Sequence, residues 1–297
     1  MSTVAVVAHS GKTLGGGLLE LRRELERQGV SEPMWYEVPK SRKAPKRVRE
    51  ALDAGADLIF VWGGDGMVQR CVDAVDGDAA TLAIVPAGTA NLFATNLEIP
   101  KDIEQAVHIG LHGPRRMLDV GRMNGERFAV MAGAGFDAQM IRAADAGLKD
   151  RIGRVAYVWT GMKELGRKPF EAKIKVDGST WFEGKASSVL LGNVGELFGG
   201  VEAFEDARPD DGLLELGVVT ADDLLEWTRT IARTAVGASS TSPFVRVTKA
   251  KTASVTFDRK VLYELDGGDR EKVKKLEIEV EPSAIEVCVP ASAGESA

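Results

Sequence analysis

The feature that most constrains this chain is a buried strand that ends in glycines and reopens as a helix. Asp57–Trp62 (DLIFVW) is apolar enough for a strand covered on both faces. It runs directly into Gly63-Gly64-Asp65-Gly66, and Met67–Val75 follows with helical spacing. The same passage recurs in the first part of the chain. Thr3–Ala8 (TVAVVA) and Thr81–Val85 (TLAIV) read as buried strands and Met34–Val38 as a short one, while Leu18–Gln28 and Pro45–Leu52 read as helices. Strands alternating with helices predict an α/β domain with a parallel sheet covered on both faces.

Further along, the period changes. Glu171–Asp177 (EAKIKVD) alternates polar and apolar residues and meets Gly178. Ser187–Leu191, Leu213–Val219, Phe244–Thr248, Ala253–Phe257, Lys275–Val280 and Ile285–Val289 are short strand candidates. Their spacing predicts an antiparallel sandwich or barrel, interrupted by helices over Ile152–Leu165 and Ala221–Val236. The chain has 297 residues, which at roughly 150 residues per domain suits two domains. The expected division is 1–122 for the α/β domain, 123–290 for the β domain and 291–297 for a disordered tail.

Hydrophobic residues are 44% and charged residues 28% of the chain, a globular balance. No apolar run reaches the roughly 18 residues of a membrane span. MSTVAVVAHS has neither a basic n-region nor a cleavage pattern, so no signal peptide is expected. Cys71 and Cys288 form no disulfide framework and no metal-ligand spacing. The expected location is the cytoplasm. A net charge of −6 argues against a nucleic-acid binder. Locally, Lys40, Arg42, Lys43, Lys46, Arg47 and Arg49 crowd together. They read either as a solvated helix start or as a contact to phosphate or an anionic membrane surface.

The glycine turn carries the chemistry. Glycines let a backbone approach a ligand closely, and a helix N-terminus offers N–H groups and a positive dipole end to phosphate. An Asp in such a turn would repel phosphate unless a Mg²⁺ lay between them, since Mg²⁺ takes carboxylate, water and phosphate oxygens. Val85-Pro86-Ala87-Gly88-Thr89-Ala90-Asn91 repeats the passage from strand to turn, with Thr89 and Asn91 as polar donors. Adjacent strand-to-helix turns at the C-terminal edge of a parallel sheet build one crevice. His9-Ser10-Gly11-Lys12-Thr13 follows the first strand without the full P-loop pattern, and reads as either a glycine-rich surface turn or a phosphate contact.

GGDG at 63–66, PAGTAN at 86–91, LDVGR at 118–122, AGAGFDA at 132–138, DDGLLEL at 210–216 and ELDGG at 264–268 occur in an order that resembles the diacylglycerol kinase catalytic-domain family, across nearly the whole chain. That family includes bacterial diacylglycerol and phosphatidylglycerol kinases and sphingosine kinases. The resemblance implies a 6-phosphofructokinase- and NAD kinase-like α/β domain followed by a mainly-β sandwich. It implies ATP and Mg²⁺ as cofactors, and a membrane lipid as the substrate, met by peripheral contact at the inner face of the membrane.

The resemblance also implies roles. Gly63, Gly64, Asp65, Gly66, Met67, Val68, Gln69, Gly88, Thr89 and Asn91 would bind ATP, as would Ser10 and Gly11, which match the end of an Asn-Pro-x-Ser-Gly loop whose Asn-Pro is missing here. Asp65 and Asp119 would hold catalytic Mg²⁺ through water. Asp211 with the carbonyls of Leu213 and Arg208 would hold a structural Mg²⁺. Three departures stand out. Met67 replaces a Thr and Leu92 replaces an Asp. Gly268 stands where the family has the Glu base for the lipid hydroxyl, so Asp266 or Asp269 is the expected substitute.

The stretch Arg151–Lys168 mixes cations with apolar residues and is expected either to dock on anionic lipid or to pack on its own domain. A homodimer through a sheet edge is left open. Two rivals are carried. One is an NAD kinase, although no Asn-Glu motif for NAD follows the glycine turn. The other is a nucleotide-binding regulatory protein of weak catalysis, which Gly268 and Leu92 would suit.

Overall fold

In a computed structural model of the chain the described residues are 2–75, 77–135, 169–197, 201–202, 204, 206–220 and 244–291. They form two compact units: Met1–Val120 with Pro282–Ala297, and Gly121–Glu281.

The first unit runs β1 (Val4–His9), α1 (Leu18–Arg27), β2 (Met34–Val38), α2 (Ala44–Asp53), β3 (Leu58–Gly63), α3 (Asp65–Val72), β4 (Gly77–Pro86), α4 (Leu92–Asn96), α5 (Ile103–His112) and the start of β5 (Arg115–Met123). β2, β1, β3 and β4 lie side by side, all parallel. Near-continuous burial along β1 and β3 reflects helices on both faces. Phe60, Trp62, Val85, Leu21, Leu25, Ile103 and Val107 make the core on one face. α5 starts where the Asp102 side chain accepts the Gln105 N–H at 2.9 Å, an N-cap. It crosses the sheet at Gly110, where a Cβ would come within 2.4 Å of the Phe60 ring. Because the strands are parallel, Ser10, Lys40, Gly64 and Ala87 all follow strand C-termini along one sheet edge.

The second unit contains β6 (Glu126–Phe128), β7 (Met131–Ala134), β8 (Phe170–Val176), β9 (Ser179–Ala186), β10 (Ser188–Gly192), β11 (Glu196–Leu197), β12 (Val201–Glu202), β13 (Leu214–Val219), β14 (Val245–Ala250), β15 (Thr252–Leu265) and most of β16 (Gly268–Cys288). Among the described residues its ladders are antiparallel, in the order β14-β13-β10-β7-β15-β16, with β8 and β9 added to the first half of β15. Phe128, Phe170, Ile174, Val189, Leu191, Leu216, Val255 and Leu276 fill the core. Three hairpins share one device. Asn124-Gly125, Asp177-Gly178 and Asp266-Gly267 each place two residues at positive φ between paired strands, the type I′ signature.

The α/β domain and the mainly-β domain are those the sequence predicts. By compactness the returning segment from Pro282 groups with the first unit, because Ile285, Glu286 and Val287 pair in parallel with β4. The strands expected separately at Lys275–Val280 and Ile285–Val289 form one long strand, β16. The helices expected over Ile152–Leu165 and Ala221–Val236, the Arg151–Lys168 docking stretch, residues 136–138 of AGAGFDA, and residues 292–297 of the tail lie outside the described residues.

Candidate nucleotide site

The turns after β3 and β4 touch through their backbones. A Cβ on Gly88 would stand 2.4 Å from the Gly64 Cα, and one on Gly64 would stand 3.0 Å from the Gly88 Cα. Both positions therefore exclude a side chain for lack of space. Ala87 N–H donates to the Gly63 carbonyl at 2.9 Å, extending the β3–β4 ladder to the edge of the turns. Asn91 sits at φ 54, where Asn is tolerated, and closes its own loop from both ends. Its Oδ1 accepts the Gly88 N–H at 2.8 Å and its Nδ2 donates to the Gly88 carbonyl at 2.9 Å. Asn91 is thus a buried brace for the turn rather than an outward donor.

Asp65 joins the two turns. Its Oδ1 accepts the Phe93 N–H at 3.1 Å, at the first turn of α4. Burial pushes the Asp65 carboxyl above its usual range, and the N–H groups of Phe93, Asn91 and Leu92 pull it partly back. A carboxylate placed so is relieved by a nearby cation, and one protein carboxylate with water and phosphate oxygens is ordinary Mg²⁺ coordination. Asp65 therefore fits a Mg²⁺ carried in with a nucleotide. Among the described residues no three His, Cys, Asp or Glu side chains converge on a metal position, so that ion would draw most of its ligands from phosphate and water. Asp119, at the buried part of β5, accepts the Ser283 N–H at 2.8 Å through Oδ1.

The other expected contacts narrow. Met67, Val68 and Gln69 have buried side chains, and the N–H groups of Met67 and Val68 both donate to the Gly64 carbonyl. The outward part of the turn is Gly64, Asp65 and above all the exposed Gly66. Thr89 is exposed at the tip of the second turn. Ser10 and Gly11 are exposed but already hydrogen-bonded within the chain: Ser10 donates from N and Oγ to the Val38 carbonyl, and Gly11 N–H donates to His9 Nδ1 at 3.1 Å.

In the second unit, Asp266 and Asp269 separate. Asp266 is buried, and its carboxylate accepts three backbone N–H groups, those of Ala129, Val130 and Met131, at 2.8–2.9 Å. Those bonds hold the carboxylate against the backbone and leave it poorly suited to take a substrate proton. Asp269 is exposed, opposite Glu264 across the hairpin. The guanidinium of Arg270, held by Glu126 at 2.9 Å, lies where a Gly268 side chain would begin.

Asp211 accepts the Leu213 N–H through Oδ1 at 3.0 Å, and Arg208 lies exposed in the same segment. The sequence reading missed Lys249, which pairs with Asp211 at 3.1 Å and with Glu215 at 3.4 Å. Burial lifts the Glu215 carboxyl above its usual range, opposed by Lys249. The only signal for this contact is strand alternation in two segments far apart in sequence.

Residues 3–123 match the diacylglycerol kinase catalytic domain and residues 130–289 the YegS C-terminal NAD kinase beta sandwich-like domain. The chain is 32% identical over 223 residues to a probable lipid kinase YegS-like of Enterobacter sp. (strain 638), covering 73% of this chain and 74% of that protein. It is 31% identical over 232 residues to the diacylglycerol kinase of Bacillus subtilis (strain 168), covering 75% of each. The fold matches a putative diacylglycerol kinase of Bacillus anthracis str. Sterne, with TM-score 0.79 at 22% identity over 98% of this chain and 97% of that one. It also matches an NAD kinase from Archaeoglobus fulgidus in complex with ATP, with TM-score 0.57 at 11% identity over 98% of this chain and 94% of that one. With both domain types matched in sequence and in fold, the chain belongs to the diacylglycerol kinase catalytic-domain family.

Proposed function

We propose that this protein transfers the γ-phosphate of ATP to a hydroxyl of a membrane lipid, with diacylglycerol the first substrate to try. The observation that carries the reading is the closed pair of glycine turns, Gly64 against Gly88, bridged by Asp65. Side chains are excluded where a phosphate chain would need backbone, and one carboxylate is kept there for the accompanying cation. The names of the curated relatives support the lipid as acceptor.

Phosphoryl transfer rests on positioning and charge neutralisation more than on covalent chemistry. In this reading Gly64 and Gly66 cradle phosphate with backbone, and Thr89 offers a hydroxyl from the second turn. Mg²⁺, when bound, neutralises charge on the phosphates, with Asp65 and Asp119 as the residues that would hold it through water. Asp269 takes the proton of the lipid hydroxyl, because the Asp266 carboxylate is engaged by backbone. The exposed Lys40, Arg42, Lys43, Lys46 and Arg49 suit an anionic membrane surface, and the inner face of the membrane is where ATP and such a lipid meet.

The test is transfer of label from γ-labelled ATP to a panel of lipids in mixed micelles, with NAD as a soluble acceptor. Diacylglycerol or another lipid should become labelled, and Asp65→Ala should lower the rate by about 10²–10³-fold. Label on NAD alone would replace this reading with that of an NAD kinase. ATP binding without any product would leave a nucleotide-binding regulator.

A further inference from the structure

Family resemblance assigns a Mg²⁺ to the turn at Asp211, but an ammonium stands against that carboxylate. Lys249 Nζ donates to Asp211 Oδ2 at 3.1 Å and to the Asp206 carbonyl at 3.2 Å, and it ion-pairs with Glu215 Oε1 at 3.4 Å. An ammonium has three donors and no acceptor; here two oxygens accept from it and the Glu215 carboxylate faces it as an ion pair. The seat is set by the sheet. Lys249 on β14 and Glu215 on β13 are cross-strand partners in register, so the backbone brings the lysine to this place. The second Asp211 oxygen accepts the Leu213 N–H at 3.0 Å, which fixes the carboxylate facing the lysine. A divalent ion bound by Asp211 here would have to share that carboxylate with a positive charge already in contact with it.

We infer that Lys249 is the resident cation of this turn: the native chain holds residues 206–215 with its own ammonium and takes no divalent ion there. The oxygens that would otherwise invite a metal are occupied by a group that cannot dissociate. The second unit then keeps its stability when Mg²⁺ is scarce. This inference is independent of the kinase reading, because it needs neither ATP nor lipid.

Thermal unfolding of the full chain without nucleotide tests it, in chelator, in Mg²⁺ and in Ca²⁺. Wild type should melt at the same temperature in all three, apart from any response that persists in Asp211→Asn. Lys249→Ala should melt lower in chelator and recover with Mg²⁺ or Ca²⁺. The double variant Lys249→Ala/Asp211→Asn should lose the recovery. Lys249→Met, which keeps the stem, should behave as Lys249→Ala if the alanine variant is too unstable to purify. A wild-type rise with either ion that Asp211→Asn abolishes would overturn the inference, because a metal would then bind beside the lysine. Lysine variants indifferent to both ions would overturn it as well, because the turn would not be a cation site. Calorimetric titration of wild type with Ca²⁺ should likewise give no heat that Asp211→Asn removes.

Discussion

Asp266 and Asp269 flank the same hairpin and do different things. Asp266 occupies the first, left-handed position of the turn, at φ 44, and binds three backbone N–H groups. Asn offers one acceptor oxygen and could not serve both sides of that cluster. Asp266→Asn should therefore lower stability by about 1–3 kcal/mol, visible as a fall in denaturant midpoint, with activity falling only as the fold does. Asp269→Asn should leave the midpoint unchanged and lower kcat, by about 10²-fold if this carboxylate is the general base. A kcat unchanged in Asp269→Asn would remove it from the reaction. Sequence alone could not separate the pair, because both are carboxylates in one motif and what divides them is backbone from residues 129–131.

At the scale of elements, the Asx-Gly hairpins do more than reverse the chain. Asp177 Oδ1 accepts the N–H groups of Thr252 at 2.8 Å and Lys251 at 3.2 Å, and Asn124 Oδ1 accepts the Glu277 N–H at 2.9 Å. Each turn residue tolerates positive φ and also pins a strand distant in sequence. Asp177→Ala loses both roles and should cost about 1–3 kcal/mol in denaturant unfolding, whereas Asp258→Ala, which gives up one N–H contact from Glu171 at 3.2 Å, should cost less. Equal losses would mean that the hairpin pin adds nothing. β1 and β3 are legible because buried apolar runs leave few alternatives, and the half-buried β2 because Pro33 and Pro39 bracket it. α5 was overlooked although Asp102 and Gln105 mark its start. β6 and β7 are too short to show a period, and β5 breaks its alternation where residues 118–121 are all buried. β15 and β16 were read as fragments, because long exposed stretches dilute their alternation. The glycine turns of the site were legible as motifs. The bonds that engage Ser10 and Gly11 were not, because they depend on one imidazole and on the end of β2.

At the scale of the whole molecule, the first unit is built from both parts of the sequence. Ile285, Val287, Cys288 and Val289 are buried, and the strand they belong to lies against β4. Glu286 also bonds to Thr81. Both cysteines lie in this unit, with burial pushing the thiol of Cys71 up to about 12 and that of Cys288 up to about 11. A thiol reagent in mildly alkaline buffer should find neither in the native protein and both after unfolding. Ending the chain at Glu281 should expose Cys71 to the same reagent and abolish the cooperative melt of the first unit. A protected Cys71 in that truncated chain would show that residues 1–120 fold without the returning strand.

That return also sets an order of events during translation. Domains generally fold from the N-terminal end as synthesis proceeds. Here residues 282–289 leave the ribosome after the described strands of the second unit have been made. Until they do, β4 presents an unpaired parallel edge, the kind of surface on which growing chains stick to one another. The first part of the molecule to be made is therefore the last to be finished, and stalling or premature termination late in the message would release a chain with that edge open.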